Sequence, residues 1–309
     1  MKSEMSIFDI FRKPTPTIDN ELLKQIMHDQ RIMMHKIEQL AQQIETLKHP
    51  AVRTSISTPI KTIVAPYEDP HATHILQFLQ QRGINVRTVP STQDYDGVFN
   101  EMATLIGNKY YHITPLLEQI KKNMQKGTSF WLNIAQAPQQ AIADMTLVCT
   151  KLHELTLLRD YLYKKAPQYN ISARPSSEPR AQNFFSGQWL ERYIAQMMRQ
   201  FAVDAWVPDF EILTNPQIIL PNGDDFELDV LVYANGRIYW IETKTGHYQD
   251  HIGKYSKFAE LLDLPNDQAI MVLPDTTPEI THSLSMMYKI KAMNLGDVNE
   301  YFVTEFRRR

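Results

Sequence analysis

The chain has 309 residues, enough for two or three compact domains, and its 43% apolar and 10% aromatic content excludes a wholly disordered protein. A net charge of −3 excludes a protein that coats nucleic acid through bulk positive charge, though not one with local basic patches around an acidic centre. No run reaches the roughly eighteen apolar residues of a membrane span, and Met1–Lys13 lacks the layout of a secretory signal. Cys149, the single cysteine, excludes a disulfide framework or thiolate metal site, so a cytoplasmic protein with no membrane partner is the expectation.

In chain order, Leu23, Ile26, Met33, Ile37, Leu40, Ile44 and Leu47 follow a heptad seam with Gln30 as its polar position, Asp19 or Asn20 as N-cap and Pro50 as stop. The seam predicts a coiled coil that joins two copies into a homodimer; a helix packed on its own chain fits the same period. A Ser/Thr/Pro-rich linker at 48–60 ends this segment, 1–60. Thr62–Pro66 then predicts a strand, Ala72–Arg82 a helix closed by Gly83, and Ile84–Val89 another strand. That is half of a Rossmann-like unit without a glycine-rich phosphate loop, so no nucleotide site is assigned. His71 and His74 suit a helix start better than a metal site.

Val98–Ile106 and Thr114–Met124 predict helices, Ser129–Ile134 a strand, and Gln139–Met145 with Leu147–Leu158 a helix-turn-helix pair. Asp160–Lys164 and Tyr169–Arg174 predict a hairpin turning near Pro167. This is the order of a winged-helix domain, which places Lys151, Lys164 and Lys165 where they touch DNA phosphates; winged helices also serve as dimerisation modules. Cys149 reads as a small buried apolar residue. Ala173–Pro179 marks a boundary, giving a central α/β region at 61–178 and a third domain at 179–309.

The segment Phe226–Thr245 holds two strand patterns around Asn235-Gly236, the pair that a type I′ hairpin turn requires. The turn fixes the register: Ala234 faces Arg237, Tyr233 faces Ile238, Asp229 faces Glu242 and Glu227 faces Lys244. Opposed Cβ atoms stand about 4.5–5.5 Å apart, so two carboxylates project from one face at a spacing that suits a shared cation. Lys244 lies on the same face by strand periodicity. Leu228, Val230, Val232, Tyr239, Ile241 and Thr243 form the opposite, core-like face. A hard divalent ion such as Mg²⁺ takes such oxygen ligands together with substrate phosphate.

Asp229 and, across the hairpin, Glu242-Thr243-Lys244 resemble the Asp…Glu-x-Lys signature of the PD-(D/E)XK nuclease superfamily. SGQWLERY with Glu191, FELDVLVY and YWIETKTG are similar to the nuclease domain of CRISPR-associated ancillary nucleases that follow a CARF sensor domain. The resemblance is carried by about residues 184–309. It implies a restriction-endonuclease-like α-β-β-β-α-β core, completed by a helix at Ile252–Leu262, a strand at Ala269–Leu273 and a helix near Ile280–Tyr288. It also implies that Asp229, Glu242 and the Thr243 carbonyl hold Mg²⁺ or Mn²⁺, that Lys244 serves the nucleophilic water, and that Glu191 supports a metal or its waters. Lys254 and Lys257 are phosphate contacts or a solvated face in equal measure.

The bland alternative is a surface ion cluster in which Lys244 neutralises Asp229 and Glu242. Glu227 reads as a supporting acid or the salt partner of Lys244, His247 and His251 as polar surface, Trp189 and Trp240 as core, and Asp224 and Asp225 as turn residues. The expectation is metal-dependent phosphodiester hydrolysis, with DNA favoured over RNA by the winged-helix order and defence against foreign nucleic acid suggested by the resemblance. Its rivals are a non-catalytic DNA-binding or regulatory protein and an oligomeric scaffold built on the coiled coil.

Overall fold

The computed structural model describes residues 71–93 and 96–307; the heptad seam and the Thr62–Pro66 strand lie outside these residues. In chain order the first elements are α1 (Thr73–Gln81), β1 (Asn85–Thr88), α2 (Asp96–Met124), β2 (Phe130–Asn133), α3 (Gln139–Glu154), β3 (Leu158–Lys164), β4 (Asn170–Pro175) and α4 (Pro179–Asn183). A segment at Phe184–Gln188, kinked at Gly187, leads into α5 (Trp189–Asp204), β5 (Glu211–Thr214), β6 (Gln217–Ile219), β7 (Asp225–Glu227), β8 (Val230–Ala234) and β9 (Arg237–Thr243). The chain continues through α6 (Ile252–Leu261), β10 (Ala269–Val272), α7 (Pro278–Met287), β11 (Lys291–Met293) and α8 (Leu295–Arg307). Among the described residues no helix is long and apolar enough to cross a membrane.

The central sheet has the order β11–β10–β9–β8–β5, with β5, β8 and β9 antiparallel and β9, β10 and β11 parallel. Alternation along its strands feeds two cores. Val230, Val232, Tyr239, Ile241, Ile270 and Val272 pack with α2, α5 and α8 on one side. Leu231, Ile238, Trp240, Ala269 and Met271 pack with α1 and α6 on the other. The result is a three-layer α/β fold in which each fully buried Leu, Ile or Val contributes roughly 1.5–3 kcal/mol. The hairpin face that carries Asp229 and Glu242 is therefore also core, through Leu231 and Trp240. It is charged only at its open end.

Several local expectations give way to tertiary packing. The two helices predicted within 97–124 are one, α2, despite Gly107 and Pro115. Gly107 is a contact point: a Cβ there would stand 2.3 Å from the Tyr193 ring of α5, so the glycine lets the two helices close on each other. Pro115 lies on a helix whose Ile106, Tyr110, Ile113, Leu117 and Ile120 keep one buried stripe. The predicted helix-turn-helix is likewise one helix, α3, because Ile142, Met145, Val148, Cys149 and Leu152 share a buried face and the Thr146 hydroxyl donates back to the Ile142 carbonyl. Among the described residues strand β1 pairs antiparallel with β6, at the edge of a small β1–β6–β7 sheet. A third sheet, β2–β4–β3, is antiparallel throughout.

Candidate active site

Asn235 and Gly236 have φ of 50° and 75°, the left-handed pair that a type I′ turn needs. The β8–β9 register runs from Ala234↔Arg237 to Val230↔Ile241, as the turn predicts. The ladder then opens. Asp225–Glu227 belongs to β7, where Glu227 pairs with Gln217, so Glu227 does not face Lys244. Asp225, expected in a turn, is in that strand and ion-pairs with Arg87 at 2.6 Å. Beyond the break, the Asp229 carbonyl accepts the Asn215 N–H at 2.9 Å, which anchors the open end of the hairpin to the chain leaving β5.

Three acids and one amine meet at this opening. Asp229, 6% exposed, accepts the Thr243 N–H at 2.7 Å and the Thr243 hydroxyl at 3.0 Å, both on Oδ2. Glu242, 2% exposed, accepts Lys244 Nζ on Oε1 at 2.7 Å, while its Oε2 is buried without a hydrogen-bond partner. Glu191, from the first turn of α5, accepts Asn215 Nδ2 at 2.7 Å. The kinked segment before α5 carries Ser186, whose carbonyl accepts the Thr245 hydroxyl at 2.9 Å. The start of the Glu191 helix is thereby tied to the residue after Lys244, across a kink at Gly187 where the backbone leaves helical geometry.

Charge at the opening is out of balance. Burial and the neighbouring Asp229 push the Glu242 carboxyl up to about 8, against the lowering effect of Lys244. Burial and Asp229 likewise push Glu191 up to about 7, and burial raises Asp229. Burial opposes the charge on Lys244, but Glu242 and Asp229 outweigh it and hold the ammonium protonated. Each acid is disfavoured as an anion by desolvation and by its acidic neighbours, the pattern that an added cation relieves. Among the described residues no three His, Cys, Asp or Glu side chains are drawn tightly enough together to hold an ion alone. A metal here fits two carboxylates, a backbone carbonyl and waters, and the orphaned Glu242 Oε2 is the free donor.

The other expected residues are spread more widely. Lys254 and Lys257 are exposed on α6, with Lys254 Nζ 4.3 Å from the centroid of the Phe226 ring. His247 and His251 are exposed. His74 Nδ1 lies 2.6 Å from Glu211, whose carboxylate also accepts the His74 and Ile75 N–H groups, so it serves as a helix start. Trp189, Trp240 and Cys149 are buried. Sequence reasoning missed Asn215, for which the Asn-Pro pair ahead of Gln217 was the available turn signal. It also missed Tyr255 of α6, whose ring centroid lies 5.2 Å from Lys244 Nζ and for which no local signal exists. A pocket of about 360 Å³, its solvent-facing mouth included, lies beyond Thr245, where Lys121 of α2 donates to the Thr245 carbonyl and Tyr110 to Asp275.

No protein-family profile and no curated protein matches the sequence. The structure is similar to protein VC1899 from Vibrio cholerae, at 18% identity and a TM-score of 0.51 over 76% of this chain and 60% of that one. It is also similar to Can2 from Sulfobacillus thermosulfidooxidans, solved in complex with cyclic tetra-adenylate, at 14% identity and a TM-score of 0.52 over 76% of this chain and 61% of that one. What is shared is the fold. The chain spans about three-fifths of the length of these solved chains, at 60% and 61%. The 76% of this chain that is covered reaches well beyond residues 184–309, to which the sequence resemblance is confined.

Proposed function

We propose that this protein is a metal-dependent nuclease of the PD-(D/E)XK type, acting at the open end of the β8–β9 hairpin. The observation that carries the reading is the Glu242 carboxylate, buried beside Asp229 with one oxygen unpartnered and a protonated lysine on the other. The order α5, β5, β8, β9, α6, β10 supports a restriction-endonuclease-like core. Asp229, Glu242 and the Thr243 carbonyl would hold Mg²⁺ or Mn²⁺, with Glu191 supporting the ion or its waters. A bound divalent ion polarises a phosphoryl oxygen and makes water a stronger nucleophile at neutral pH. Lys244, charged at its Nζ, donates to that water or to a phosphoryl oxygen as negative charge develops. Asn215 fixes Glu191, and Thr243 fixes Asp229. Lys254 and Lys257 are proposed phosphate contacts.

The helix-turn-helix that favoured DNA over RNA is absent among the described residues, so the substrate class is a nucleic-acid phosphodiester and both sugars are to be assayed. Cyclic tetra-adenylate, present in the Can2 structure, is the first effector to add. A pair of chains joined through Leu23–Leu47 and a role in defence complete the proposal. The test is incubation of wild type and Lys244→Ala with plasmid, single-stranded DNA and RNA, in Mg²⁺, Mn²⁺ or EDTA, with and without the cyclic tetranucleotide. Metal-dependent cleavage that drops about 10²–10³-fold in Lys244→Ala supports the nuclease. Tight binding with no cleavage under any condition supports the non-catalytic alternative.

A further inference from the structure

Cross-strand register sorts the outward side chains of the β2–β4–β3 sheet into three rows. Trp131, Ser172 and Leu162 lie side by side; Asn133, Asn170 and Lys164 make the next row; Arg174 and Asp160 make the third. The alternate residues Phe130, Ile171 and Ala173 are buried in the core, which fixes the first set as outward. Trp131 is 64% exposed and Leu162 53%, unusual values for such large apolar groups, and both lie in the middle row, on the two edge strands. Lys164 Nζ stands 5.7 Å from the centroid of the indole ring. Arg174 is held at the other end by a 2.6 Å bond from its Nε to the Gly127 carbonyl.

We propose that this face is a platform for single-stranded nucleic acid, with a base stacked on Trp131 and Lys164 and Arg174 reaching the phosphates on either side. Adjacent rows along a strand are about 7 Å apart, so a cation flanks the indole in both strand directions. The two apolar groups are separated by Ser172 and rimmed by amides and cations, with Asp160 the one acid in the three rows. A protein partner would call for a continuous apolar centre depleted of charge. An indole with flanking cations matches the stacking and backbone-tracking chemistry of single-strand binders, which tolerates any base. Helix α2, whose Lys121 bonds the Thr245 carbonyl beside Lys244, leads directly into β2. The role in holding a strand for cleavage rests on the nuclease reading; the binding itself does not.

The test is fluorescence anisotropy of labelled oligo-dT and oligo-U with the full chain in EDTA, where no metal-dependent cleavage intervenes. Wild type is expected to bind both, more weakly as salt rises. Trp131→Ala should weaken binding about tenfold, Trp131→Phe should retain most of it, and Trp206→Ala, at an 87% exposed indole elsewhere, should change nothing. Absence of binding, or Trp131→Ala binding like wild type, overturns the proposal. So does a Trp131→Ala protein whose sedimentation shows a lost oligomer while its affinity is kept, since the face would then be an interface between copies. A wild type that binds but never cuts leaves this inference standing and removes the nuclease reading.

Discussion

Asp144 and Glu242 are both nearly closed to solvent, at 3% and 2% exposure, yet Glu242 is embedded deep in the protein while Asp144 is covered mainly by its own partners, and the two carboxyls are pushed in opposite directions. Around Asp144 one carboxylate meets Lys109, His112 Nδ1 at 2.6 Å and Gln140 Nε2 at 3.1 Å. Burial works against its charge, but these partners outweigh it and hold the carboxyl down to about 2. Around Glu242 burial comes first and the neighbouring Asp229 adds to it, and Lys244 with the Tyr255 side chain does not outweigh them, so Glu242 rises to about 8. A structural ion cluster satisfies its acid. The hairpin cluster has three acids for one amine and favours them protonated, so it is the cluster in which an added cation would change most.

Exchange of one acid in each cluster should separate the two kinds. Glu242→Gln keeps the shape and removes a charge the fold does not favour, so cleavage should fall about 10²–10³-fold while the metal-free melting temperature holds or rises. Asp144→Asn should do the reverse, with a stability loss of about 2 kcal/mol in urea titrations and unchanged cleavage per folded molecule. Equal stability losses in both variants would mean that Glu242 is as structural as Asp144, and the contrast would collapse.

Much of the hairpin was legible because Asn235-Gly236 is a local signal with one dominant geometry, and register follows from it by counting. Glu191, Asp229, Glu242 and Lys244 do meet in one neighbourhood, their roles being what the assays decide. The break at Leu228 was not legible, because it depends on Glu227 pairing with Gln217 in a separate sheet, a non-local choice. Helix continuity failed for the same reason. Gly107 and Pro115 read as breakers by propensity, but the Tyr193 ring and a buried stripe override them. Asn215 and Tyr255 reach the site through contacts distant in sequence, to Glu191 and Lys244, that no periodicity encodes.

The smallest expected effect reads the same contrast through pH. Glu191 and Glu242 titrate at about 7 and about 8 in the fold, against an ordinary 4.5, so the native state holds protons that the unfolded chain has released. Stability from a raised folded-state value is complete below the unfolded value and is lost as pH climbs through the folded one. The melting temperature of the metal-free protein should therefore fall by roughly 5 °C between about pH 6 and about pH 8.5. Asp144 adds no slope there, since its folded value of about 2 and its ordinary 3.8 both lie below the window. Mg²⁺ or Mn²⁺, by binding the ionised carboxylates, should flatten the fall, and so should Glu242→Gln, which has no proton to release. A slope unchanged by metal and by Glu242→Gln alike would place its origin outside the hairpin cluster. Glu242 would then be an ordinary buried acid, whose unpartnered oxygen calls for no cation.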